Sequence, residues 1–109
     1  MPNTTWKSYE RTIARHFPGA KRRGPGTGDG RNGKSDIICP GWSIETKLLA
    51  RPSFSDLLAG CIQAERNAES LTDIPVCVVK RLGDAVPDSL CVMRLETFQE
   101  FFIGGDDEK

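Results

Sequence analysis

Trp6, Tyr9, Ile13 and Phe17 recur at the spacing of one helix face. They predict a helix over residues 4–17, capped by Thr4 or Thr5 and stopped by Pro18-Gly19. Residues 18–34 have no such period and read as a mobile loop that orders on a ligand; the stretch 21–34 holds five glycines and five Lys/Arg. Two short strands are expected next, over 36–39 and 42–48, joined at Pro40-Gly41. A helix over 53–70 follows, with Phe54, Leu57, Leu58, Cys61 and Ile62 as its apolar stripe. Residues 75–81, around Val76, Cys77, Val78 and Val79, read as a buried strand, and 90–95 as another. A short helix over 96–103 carries Phe98, Phe101 and Phe102, and the polar tail 104–109 is expected to fray. The order α-β-β-α-β-β-α, with no internal repeat, predicts an α/β fold: one central mixed β-sheet flanked by helices, in a single domain over residues 1–109.

Composition narrows the class. At 109 residues, 38% hydrophobic and 28% charged, the chain is an ordinary globular sequence. No apolar run approaches the ~20 residues that span a bilayer. Residues 1–5 lack the basic-then-apolar pattern of a secretory signal. A cytoplasmic protein without membrane contact is expected, in a bacterial or phage-infected cell. Cys39, Cys61, Cys77 and Cys91 form no C-x-x-C pair, and they read as small reduced hydrophobes rather than a zinc site or disulfides. Net charge is zero, yet residues 1–52 carry +6 and residues 53–109 carry −6. A basic N-terminal half can face phosphates while the acidic half faces away.

The chemistry concentrates in the first two strands. Side chains alternate along a strand, so Glu45 and Lys47 share one face, about 7 Å apart along the chain. Ile44, Thr46 and Leu48 share the other face, which can turn to the core. A turn centred on Pro40-Gly41 pairs Cys39 with Trp42, Ile38 with Ser43, Ile37 with Ile44, and Asp36 with Glu45. Carboxylates directly opposite one another, with Cβ atoms roughly 5 Å apart, repel. A divalent cation between them removes that cost, and Mg²⁺ favours one or two carboxylates plus waters and phosphate oxygens. Glu10 lies about 55° from the mean direction of its helix's apolar residues on a 100° wheel. A carboxylate at that edge is costly unless paired or bound to a metal.

This set suits phosphodiester hydrolysis. A metal at Asp36 and Glu45 would activate a water and bind a phosphate oxygen. Lys47 would orient that water and stabilise charge developing on phosphorus. Lys21, Arg22, Arg23, Arg31 and Lys34 are placed to grip flanking phosphates, with Arg51, Lys80 and Arg81 completing the cations assigned to DNA.

Glu10, then Gly33-Lys34-Ser35-Asp36, then Ile44-Glu45-Thr46-Lys47, then a helix holding Gln63 and the strand over 75–80, together resemble the PD-(D/E)xK nuclease superfamily. The likeness is greatest to its Holliday junction resolvase branch and the small phage-encoded relatives, and it covers nearly the whole chain. The resemblance implies a restriction-endonuclease-like core, a homodimer, and paired cuts in branched four-way DNA. It implies Mg²⁺ dependence, with Mn²⁺ able to substitute. By it, Asp36 and Glu45 ligate the metal with the Thr46 backbone carbonyl, Glu10 is the helix-one acid, and Lys47 is the catalytic lysine. Gln63 corresponds to a glutamine often found near that active site, although the wheel sets it about 180° from Phe54. Ser35 stands where the family motif has proline, and zero net charge departs from the usual basic resolvase.

Other readings compete. Gly28-Asp29-Gly30-Arg31-Asn32-Gly33-Lys34-Ser35 fits G-x-x-x-x-G-K-[ST] letter for letter, which between a strand and a helix would bind a nucleotide. Here Pro40 argues against a helix after Ser35, so no nucleotide cofactor is expected. A non-catalytic DNA-binding module would gain nothing from facing carboxylates. A nicking or restriction-type endonuclease of the same superfamily also fits, although a restriction enzyme needs extra elements to read base edges. Two-fold cutting requires a dimer. Trp6, Phe54, Phe101 and Phe102 are candidates for its interface, and His16 reads as an ordinary exposed helix residue.

Overall fold

The computed structural model describes residues 2–22 and 37–104, with side chains from Trp6 to Lys21 and from Ile37 onward. Helix α1 is Pro2–Arg15, β1 Lys21–Arg22, β2 Ile37–Cys39, β3 Trp42–Leu49, α2 Phe54–Asn67, β4 Ile74–Arg81 and β5 Leu90–Val92. Helix α3, Leu95–Phe98, runs on into a π-helical turn, Gln99–Ile103. The fold is α/β: a mixed open sheet of order β1-β2-β3-β4-β5 with helices packed on it. Among the described strands only β3 and β4 run parallel, and α2 makes the crossover between them. No described helix is long and apolar enough to cross a membrane.

The β2–β3 hairpin has the expected register: Cys39↔Trp42, Ile38↔Ser43 and Ile37↔Ile44. Gly41 takes φ +85°, the left-handed conformation that a type II Pro-Gly turn demands of its third residue. The added strand β1 lies where the sequence reads as loop. It pairs antiparallel with Ile37 and Ile38 and so covers backbone groups on the outer edge of β2. The rest of the glycine-rich stretch, 23–36, lies outside the described residues.

Boundaries differ from expectation for physical reasons. Helix α1 begins at Pro2, so Thr4 and Thr5 are inside it and do not cap it. It gives way at His16 and Phe17 to tighter turns on the Ile13 and Ala14 carbonyls, because Phe17 precedes Pro18 and is biased away from helical angles. Phe17 then packs edge-on against Trp42 at 5.4 Å. Strand β5 stops at Val92 rather than continuing to 95. Arg94 is drawn to α2, where its Nε and Nη2 each donate to Glu65 at 2.8 Å.

Two cores sandwich the sheet. On one side Tyr9, Ile13 and Ala14 of α1 meet Ile37, Cys39, Ile44, Val76 and Val78. On the other, Cys61 of α2 meets Cys77 and Val79, with Leu57 and Val92 alongside. Helix α2 buries only part of its apparent apolar stripe: Cys61 enters the core and Leu57 packs against it. Phe54 is 79% and Leu58 38% exposed, whereas Gly60, Cys61, Ala64 and Asn67 are buried. Small side chains let the helix axis lie closer to the strands. Ser43 Oγ locks that approach by donating to the Ala64 carbonyl at 2.6 Å. A capping box between Ser53 and Asp56 fixes the start of α2.

Candidate active site

Strand alternation sets the chemistry on β3. Ile44 enters the α1-side core, and Ser43 reaches α2, so Glu45 and Lys47 follow Ser43 on the α2 side. Lys47 Nζ lies 3.8 Å from Glu45 Oε2, and both side chains are partly exposed. Across the parallel pair, Glu45 stands beside Cys77 and Lys47 beside Val79. Burial, aided by the neighbouring Glu45 carboxylate, pushes the Cys77 thiol up to about 12, so it is a neutral wall of the site and not a nucleophile.

Glu10 is only 2% exposed, deeper than the wheel position at the edge of the apolar face implies. Trp6, Glu10, Ile37, Ile44, Glu45 and Thr46 line one small cavity of about 20 Å³. That is room for a single water or ion. Glu45 follows Ile44, whose partner on β2 is Ile37, so the cavity lies where α1 meets the β2–β3 pair.

Three of the residues expected to hold a metal, Glu10, Glu45 and Thr46, thus border one space, and the fourth, Asp36, lies outside the described residues. Among the described residues no group of three His, Cys, Asp or Glu side chains gathers to hold a metal. Glu10 reaches the cavity from α1 and Thr46 from the same side of β3, while Glu45, whose side chain follows Ser43 toward α2, borders it from the strand. Trp6, expected on the apolar face of the helix and as a candidate dimer contact, is also a wall of the cavity. Its signal was the four-residue spacing to Glu10, one helical turn.

The remaining candidates sort by place. Gln63 is half-buried on α2 and donates to Asn67 Oδ1 at 3.4 Å. Its position follows the roll of α2 onto Gly60 and Ala64, so it is not turned fully to solvent. Asp56 at the start of α2 has its carboxyl held below the usual range, by hydrogen bonds from Ser53 first and by Lys47 to a lesser degree. Lys21 and Arg51 are exposed. Lys80 and Arg81 engage the turn that follows β4, and Arg81 is exposed. Lys80 Nζ donates to the Asp84 carbonyl at 2.7 Å and lies 5.6 Å from the Tyr9 ring centre, and Arg81 Nε donates to Asp84 at 2.9 Å. They border a roomier cavity of about 410 Å³ beyond the end of β4, away from Glu10 and Glu45. The side chain of Arg22, and Arg23, Arg31 and Lys34, lie outside the described residues. His16 is exposed, and its Nδ1 donates to the Thr12 carbonyl at 2.9 Å.

No protein-family model, no curated protein and no solved structure matches the chain. The nucleotide-binding alternative loses its structural context, since Ile37–Cys39 is a strand where that motif requires a helix. The four cysteines are free thiols; Cys39, Cys61 and Cys77 are buried and Cys91 is exposed.

Proposed function

We propose that this chain is a metal-dependent endonuclease that hydrolyses DNA phosphodiesters, acting as a homodimer on branched four-way junctions. The observation that carries the reading is the meeting of Glu10, Glu45 and Thr46 at one ion-sized cavity, with the Lys47 ammonium 3.8 Å from Glu45. Continuing the β2–β3 register by one pair would set Asp36 opposite Glu45 and add a third carboxylate. Such a donor set, all hard oxygen and rich in negative charge, fits Mg²⁺ and equally Mn²⁺. On this reading the sheet and its helices are a restriction-endonuclease-like core.

Glu10, Asp36, Glu45 and the Thr46 carbonyl would hold the ion. When bound, it supplies Lewis acidity toward the scissile phosphate and lowers the pKa of a water. Lys47 does the rest from the adjoining position. Its ammonium orients the attacking water and offsets charge that builds on the phosphoryl oxygens. Glu45 keeps that ammonium within reach. Cys77, neutral and buried behind them, excludes water from the back of the site without competing for the proton.

The test incubates labelled four-way junction, flap and plain duplex DNA with the protein in Mg²⁺ or EDTA. Cutting that needs Mg²⁺ and is strongest on the junction is expected. Asp36→Asn, Glu45→Gln and Lys47→Ala should each abolish cutting while DNA binding persists. Cutting that survives Asp36→Asn would move the active site elsewhere. Equal cutting of duplex and junction would reassign the chain to the nicking or restriction type. Binding without any Mg²⁺-dependent cutting would leave only a DNA-binding module.

A further inference from the structure

The outer face of α1 carries cations that the site does not use. Lys7, Arg11 and Arg15 are exposed and spaced four residues apart, so they form one stripe along the helix. Glu10 is the one acidic residue in the span of α1, and it is buried. The exposed residues around the stripe are uncharged or basic. Among the described residues, none of the three cations has an ion-pair partner. An ordinary solvated helix face mixes both signs, which gains i,i+4 pairing and avoids self-repulsion. Three like charges in a row cost stability unless something anionic covers them.

The stripe has the dimensions of a phosphate track. Eight residues of helix rise about 12 Å, the axial length of three to four phosphates on one strand of a duplex. On a 100° wheel the stripe begins about 60° from Glu10, on the same helix. Lys21, exposed on β1, extends the positive surface, because α1 packs beside β1. A backbone lying on the stripe would therefore pass the helix edge that leads to the Glu10–Glu45 cavity.

We infer that Lys7, Arg11 and Arg15 bind successive phosphates of one nucleic-acid strand and lead it toward that cavity. This inference rests on the nucleic-acid reading of the site, but it concerns binding alone. It adds a second surface to the basic glycine-rich stretch. Its recognition is of backbone charge and not of sequence.

The test measures binding without cleavage, in EDTA, by fluorescence anisotropy of labelled duplex and four-way junction over a salt series. The triple variant Lys7→Gln, Arg11→Gln, Arg15→Gln keeps good helix formers, and its thermal unfolding is recorded as a check on folding. Loss of three phosphate contacts should weaken binding about a hundredfold near 0.1 M salt and flatten the log–log salt slope by about 2.7. Each single substitution should flatten it by about 0.9, which keeps the test open if the triple variant folds poorly. Wild-type binding with an unchanged slope in the variants would overturn this inference and leave the nuclease reading standing. A change confined to self-association in sedimentation would overturn it too, assigning the stripe to the acidic half of a second copy. Absence of any DNA binding by the wild type would remove the proposed function itself, and this inference with it.

Discussion

Gly60→Ala should destabilise the protein, and Cys77→Ala should rescue it. Gly60 faces the sheet from α2, and a Cβ placed there would overlap Cys77 Sγ and stand 3.4 Å from Cys77 Cβ and 3.7 Å from Lys47 Cε. Only the sulfur contact is far too short, since unstrained carbon contacts lie at roughly 3.5–4 Å. Cys77 is fully buried, so either its thiol changes rotamer within a filled core or α2 lifts off the strands. Overpacking of this kind costs about 1–3 kcal/mol. Alanine in a helix interior gains about 1 kcal/mol over glycine, so the net loss for Gly60→Ala is about 0–2 kcal/mol. Cys77→Ala alone leaves a small void and should cost about 1 kcal/mol. In the double variant the new methyl occupies the space the sulfur vacates, so stability returns close to wild type or above it. The two substitutions should therefore couple by about 2 kcal/mol, read from urea unfolding midpoints at constant m-value. Additivity within about 0.5 kcal/mol would refute the claim that close packing at Gly60 sets the distance between α2 and the sheet. Because Lys47 Cε borders the same space, any DNA cutting lost in Gly60→Ala should return in the double variant.

The cavity between Glu10 and Glu45 predicts that Mg²⁺ raises the unfolding temperature of the wild type, and that Glu45→Gln reduces this shift, by differential scanning fluorimetry. Glu65 is held below the ordinary carboxylate value of 4.5, chiefly by its hydrogen bonds from Arg94, with Thr97 adding a weaker one. A depressed folded pKa contributes stability above the unfolded value that is lost as pH falls through the folded one. Glu65→Gln should thus lower stability by about 1 kcal/mol near neutral pH, discounted for partial exposure, and the gap from wild type should narrow as pH falls below 4.5 and through the depressed folded value. With thiol reagents at pH 8, Cys91 should react quickly in the folded protein, whereas Cys39, Cys61 and Cys77 should wait for unfolding; fast labelling of Cys77 would contradict its burial.

Much of the hairpin was legible locally. Pro40-Gly41 can close only a tight turn, and a two-residue turn fixes which residues face each other, so the pairing from Cys39↔Trp42 to Ile37↔Ile44 follows from counting. The shared face of Glu45 and Lys47 follows from the two-residue period of a strand and needs no tertiary information. The core strand over Val76–Val79 was equally plain, because a run of four apolar residues has few other uses. Other features were decided only when the elements met. Of the apolar stripe of α2, Cys61 is buried and Leu57 packs on the core, but Phe54 and Leu58 are left exposed while Gly60 and Ala64 are buried, because close approach and the Ser43 hydrogen bond outweigh a wider apolar contact. The end of β5 depended on Glu65, 29 residues before Arg94 in the chain. Glu10 could be placed at a helix edge from its own sequence, but its burial and its cavity with Glu45 arise from where α1 crosses the sheet. Periodicity determines which side of an element a residue occupies; how two elements roll against each other depends on side-chain volumes from distant parts of the chain, and that arrangement exists only in the assembled core.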